Sequence, residues 1–70
     1  MKVKLLNTTS KKCKNAIKRI FNYQYGLGHI RLEDAEDSHL GIVTSTVLSI
    51  EKTEDRIYVE TKNSHYELEI

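Results

Sequence analysis

Residues 10–21 read "SKKCKNAIKRIF", with five cations and no acid. How this stretch is folded decides the architecture of the whole chain. At 100° per residue, Lys11, Lys12, Lys14, Asn15, Lys18, Arg19 and Asn22 share an arc of about 160°. Cys13, Ala16, Ile17 and Ile20 fall opposite, with Phe21 and Tyr23 at the borders. The pattern predicts an amphipathic helix over residues 10–24. Ser10 or Thr9 is placed to cap its first turn, and Gly26 to stop it. One feature opposes the helix. Lysines at its N-terminus face the positive end of the dipole, at about 0.3–1 kcal/mol each.

Outward from this stretch, the pattern changes to alternation. Lys2–Leu6 places Val3 and Leu5 on one face and reads as a short strand. Ile30–Glu33 reads as another, and "EDAEDS" after it as an acidic loop. From His39 the chain is β-like: "IVTSTVLSI" is rich in β-branched residues, and "RIYVETK" and "HYELEI" alternate. A turn at Asn63–Ser64 sets Val59 opposite Leu68 and Ile57 opposite Ile70. A loop over Lys52–Asp55 sets Ile50 opposite Ile57 and Leu48 opposite Val59. Both hairpins then bury the same face. The expected fold class is α+β, in the order β-α-β-β-β-β. One amphipathic helix packs on a mostly antiparallel sheet or small open barrel, in a single domain of residues 1–70.

Composition narrows the function. The chain has 70 residues, no proline and one cysteine, Cys13. A lone thiol pairs with nothing in the chain and suits a reducing compartment. No stretch approaches the roughly 20 apolar residues of a membrane span, and the N-terminus lacks the pattern of a signal peptide. A cytoplasmic protein is expected. The net charge of +1 hides a split: residues 1–25 carry seven cations and no acid, and residues 26–70 carry four cations against ten carboxylates. Such a split marks either a binding face of one sign or a basic helix neutralised by an acidic sheet.

The C-terminal third resembles a pattern in small uncharacterised proteins of phages and Gram-positive mobile elements. They carry a Thr-Ser-x-Val strand followed by a Glu-Thr-x-Asn-Ser-x-Tyr hairpin. The matching residues are Thr44, Ser45, Val47, Glu60, Thr61, Asn63, Ser64 and Tyr66. The resemblance implies a phage-like accessory protein that works by binding. The same residues have a plainer cause, because Asn-Ser suits a tight turn and β-branched residues suit strands.

Two binding surfaces follow. The basic set, Lys11, Lys14, Lys18 and Arg19, can contact phosphates, with Tyr23 and Tyr25 stacking on bases. Its plain alternative is a solvated helix face. The acidic set, Asp34, Glu36 and Asp37 with Tyr58, Glu60 and Glu67, can dock a cationic protein. The predicted register sets Glu60 opposite Glu67, a like-charge pair that Lys62 or a cationic partner would relieve. No enzymatic activity is expected. Cys13 lies on the apolar stripe, and the spacings of His29, His39 and His65 match no metal-ligand pattern. "GLGH" lacks the further glycine of a nucleotide loop. No cofactor or metal is expected. The leading expectation is a non-enzymatic binding module, such as a phage-encoded accessory or inhibitor protein acting on a host or phage protein. Nucleic-acid binding by the basic helix is the alternative, and a small ligand held between subunits a third. A homo-oligomer through an edge strand is also expected, because the first half of "HLGIVTSTVLSI" outreaches its predicted partner.

Overall fold

The computed structural model describes residues 1–37 and 39–70. It corrects the expected fold class: the protein is all-β. The strands are β1 (Lys2–Thr8), β2 (Ile20–Gly26), β3 (His29–Asp34), β4 (Gly41–Val43), β5 (Val47–Lys52), β6 (Arg56–Thr61) and β7 (His65–Glu69). The predicted helix is divided. Its first half is a 3-10 turn, Lys11–Ala16, and its second half belongs to β2.

The division has local causes. No acid stands in the first turn, and the Ser10 side chain makes no cap hydrogen bond. The Ser10 amide instead donates to Thr8 Oγ1, and Thr9 Oγ1 accepts from the His65 amide. Ile17 is extended and Lys18 takes φ 76°, which ends any helical run. The Lys18 amide then donates to the Leu5 carbonyl, and the Leu5 amide donates to that of Arg19. Residues 20–25, "IFNYQY", are β-branched or aromatic at four of six positions, and such side chains pack better on a pleated surface. Cys13, Ala16 and Ile17 still pack against the core, but Ile20 points outward and is exposed.

The strand order is β4-β3-β2-β1-β7-β6-β5, with every ladder antiparallel. Passing from β4 to β5 through this order reverses direction an even number of times, so the two run the same way. Only Thr44–Thr46 separates them. They are two halves of one bent strand, the first pairing with β3 and the second with β6. Seven flat strands at about 4.8 Å spacing would hold their edges about 29 Å apart. The link between Val43 and Val47 reaches at most about 14 Å. The sheet must therefore roll, and the bent strand closes it as a small six-staved barrel.

Polar side chains seal the bend. Thr44, 4% exposed, accepts the Ile30 amide on Oγ1 and donates from the same hydroxyl to the Ser45 carbonyl. Ser45 Oγ donates to Thr61 Oγ1 and accepts from the Asn63 amide. Thr61 Oγ1 also bonds both backbone groups of Ser64. The Val47 amide donates to the Gly28 carbonyl and the Lys62 amide to that of Thr46. Six residues of the Thr-Ser-x-Val and Glu-Thr-x-Asn-Ser-x-Tyr pattern, Thr44, Ser45, Val47, Thr61, Asn63 and Ser64, thus build one junction. The half of "HLGIVTSTVLSI" that outreaches its predicted partner is paired with β3 along one of its sides.

The inner face holds Val3, Leu5, Phe21, Ile30, Leu32, Ile57, Val59, Tyr66 and Leu68. Each such side chain contributes about 1.5–3 kcal/mol by leaving water. Both C-terminal hairpins keep the predicted face, but their registers are shifted by two residues. Val59 meets Tyr66, Ile57 meets Leu68 and Ile50 meets Val59. The tight turns are Lys62–Asn63 and Glu54–Asp55, each closed by an amide-to-carbonyl bond between its flanking residues. A bulge at Leu48 puts Val47 on the inner side and leaves Leu48 61% exposed. Ile70, also expected inside, is exposed.

Candidate binding surfaces

The basic residues do not form one helical face. Lys11, Lys12 and Lys14 sit on the 3-10 turn, and Lys18 lies in the link to β2. Lys2 and Lys4 project from the outer face of β1, opposite Asn22 and Ile20 of β2. None of these six lysines makes an ion pair among the described residues. Internal neutralisation therefore accounts for only one cation of the first 25 residues, Arg19. The tyrosines are not on the lysine surface. Tyr23 and Tyr25 alternate with outward-facing Asn22 and Gln24 and lie on the same side as Phe21. Tyr23 is half-buried against the core, and burial raises its phenol above the usual value. Only Tyr25 is open to water, so the pair is not a stacking platform.

The sequence places Asp34 in an acidic docking loop, but the structure buries it. It ends β3 opposite Phe21 and is 5% exposed. Its Oδ2 accepts from Arg19 Nε at 2.5 Å. Its Oδ1 accepts the amides of Glu36 and Asp37 at 2.9 and 3.0 Å. The Arg19 hydrogen bond and then the Glu36 amide hold its carboxyl down at about 2. Asp34 is thus a hub that ties the β3–β4 loop to the start of β2. The side chains of Glu36 and Asp37 stay on the exposed rim of that loop, apart from Tyr58, Glu60 and Glu67. The predicted acidic set is two surfaces.

Tyr58, Glu60 and Glu67 do come together, on the outer face of β5, β6 and β7. The like-charge pair does not exist: the register sets Tyr58 opposite Glu67 and His65 opposite Glu60. Arg56 Nη1 bonds Glu67 at 2.7 Å, and His65 Nε2 lies 3.8 Å from Glu60. Glu51 of β5 pairs with Tyr58 from the other side. Together with Asn7, Ser49 and His65 these residues line a groove of about 490 Å³. Sequence reasoning missed Glu51, although its place two residues after Ser49 on an alternating strand signals the outer face.

A second cleft, of about 450 Å³, lies between the 3-10 turn and β4. Cys13 and Ala16 line it from one side, with Lys12 and Arg19 beside them, and Leu40–Val43 from the other. Cys13 is half-buried there. Among the described residues no group of three or more His, Cys, Asp or Glu side chains is placed to hold a metal ion. No helix among them is long and apolar enough to cross a membrane. The chain matches no protein-family model, no curated protein and no solved structure.

Proposed function

We propose that this protein is a non-enzymatic binding module whose outer groove on β5, β6 and β7 captures a cationic segment of a partner protein. The observation that carries the reading is the convergence of Glu51, Glu60 and Glu67 around the half-exposed ring of Tyr58. Glu51 and Glu60 beside an aromatic face, with Glu67 already held by Arg56, suit lysine or arginine side chains, by ion pairing and by cation–π contact. The rigid sheet preorganises these groups, which lowers the entropy lost on binding. The hairpin resemblance points to a host or phage protein as the partner, met in the cytoplasm. The test is titration of a nonapeptide rich in arginine at about 50 mM salt. Tyr58→Ala and Glu60→Lys should each weaken binding about tenfold or more while the fold persists. Equal affinity for wild type and both variants would overturn the reading.

A second reading rests on the six lysines without ion pairs. They would hold nucleic acid by its phosphates, with affinity falling as salt rises by about 0.9 log units per contact per decade. Triple replacement of Lys11, Lys14 and Lys18 by glutamate should abolish retention on a DNA duplex. A wild-type protein that ignores DNA at about 50 mM salt ends this alternative.

A further inference from the structure

We propose that the cleft between the 3-10 turn and β4 is a second docking site, which receives an extended acidic peptide as an added strand on β4. The inference is independent of the groove on β5–β7. Among the described residues β4 has a ladder partner on one side only, β3. Antiparallel pairs alternate between bonded and unbonded residues. The Asp34 amide donates to the Leu40 carbonyl and the Thr44 amide to that of Ile30, so Leu40, Ile42 and Thr44 turn their backbone groups to β3. Those of Gly41 and Val43 turn away from it. Four consecutive residues, Leu40–Val43, line the cleft, which makes the backbone edge itself one wall. Val43, whose backbone groups turn to the free side, is 63% exposed. An exposed edge of this kind is a template for strand addition.

Charge selects the occupant. Arg19 spends only Nε on Asp34, and its terminal nitrogens make no hydrogen bond among the described residues. Its side chain is 41% exposed although its partner is buried. A buried carboxylate, itself held by two backbone amides, thus fixes a guanidinium whose outer edge remains available. That edge is a planar pair of donors that matches a carboxylate. Lys12 stands in the same cleft, and Cys13, Ala16, Phe21 and Ile42 supply apolar wall. The site therefore fits an extended segment in which acidic residues alternate with apolar ones.

The probe is an acetylated, amidated hexapeptide alternating valine and glutamate, titrated into the ¹⁵N-labelled full chain. A hexapeptide alternating valine and lysine is the control. The proposal expects amide shifts at Gly41 and Val43 with the glutamate peptide, and binding at least about tenfold weaker with the lysine peptide. Lys12→Glu, at a side chain that supports nothing in the fold, should weaken binding by a similar factor. Arg19→Gln should abolish it, with a thermal melt confirming that the variant is folded. Absence of shifts at Gly41 and Val43 up to millimolar peptide, equal response to both peptides, or indifference to Lys12→Glu would each overturn it.

Discussion

The turn between β2 and β3 provides a sharp test of how backbone conformation stores energy here. Gly26 pairs with His29, leaving Leu27 and Gly28 as a two-residue connection. Both have positive φ, 55° and 79°, as a type I′ hairpin turn requires. Glycine is at ease there, but a residue with a Cβ gives up roughly 1–2 kcal/mol in the left-handed region. Leu27 gains nothing in return from packing, because it is 99% exposed. Asparagine tolerates this conformation several-fold better. Leu27→Asn should therefore stabilise the protein by about 1 kcal/mol, raising Tm by about 4–8 °C in a domain of this size. The reverse experiment is Gly28→Ala. A Cβ there meets nothing within 4 Å, so any cost is purely conformational. It should lower stability by about 1–2 kcal/mol. Differential scanning calorimetry of both variants is the assay. A Tm for Leu27→Asn equal to or below wild type would refute the reasoning.

Two further outcomes follow from the core and the hub. Leu68, fully buried between Leu5 and Ile57, should cost about 2–5 kcal/mol when cut to alanine, whereas Leu48→Ala at the exposed bulge should stay within about 0.5 kcal/mol; urea unfolding of the two variants measures the contrast. The Asp34 carboxyl is held at about 2, below the usual carboxylate value of about 3.9, so its ionised form favours the folded state. That stabilisation is complete above roughly pH 5 and disappears as pH falls through about 2, and Asp34→Asn should flatten the acid limb of stability against pH; an unchanged limb would remove Asp34 from that role.

What the sequence discloses here depends on which period a side chain obeys. Phe21 and Tyr23 fit the borders of a helix stripe and the inner face of a strand equally well. The strand wins through their aromatic character and through the left-handed Lys18 that isolates them from the 3-10 turn. The alternation of residues 57–69 identifies the buried face whatever the exact pairing. Displacing a two-residue turn by one position moves the register by two, and two is the period of the strand. Leu48 escapes that protection because a bulge changes the parity, and nothing local announces a bulge. Asp34 was illegible for another reason. It stands in an acidic run that looks solvated, and its burial depends on the β2–β3 ladder bringing Arg19 within reach. The anionic preference of the second cleft was hidden with it.

The seam between β1 and β7 sets the order in which the molecule can be assembled. Leu5 faces Leu68, and the Thr8 hydroxyl donates to the carbonyl of His65, 57 positions later. The hairpins of β2–β3 and β6–β7 are local and can appear on the microsecond scale, about 1–10 μs each. The seam must wait for nearly the whole chain to find itself, against the entropy of a long loop. Refolding should accordingly be slow for so short a polypeptide, in the millisecond-to-second range typical of non-local β topologies. Until that final zippering, the apolar flank of the first strand stays available to neighbouring molecules, and dilution should favour recovery of native protein.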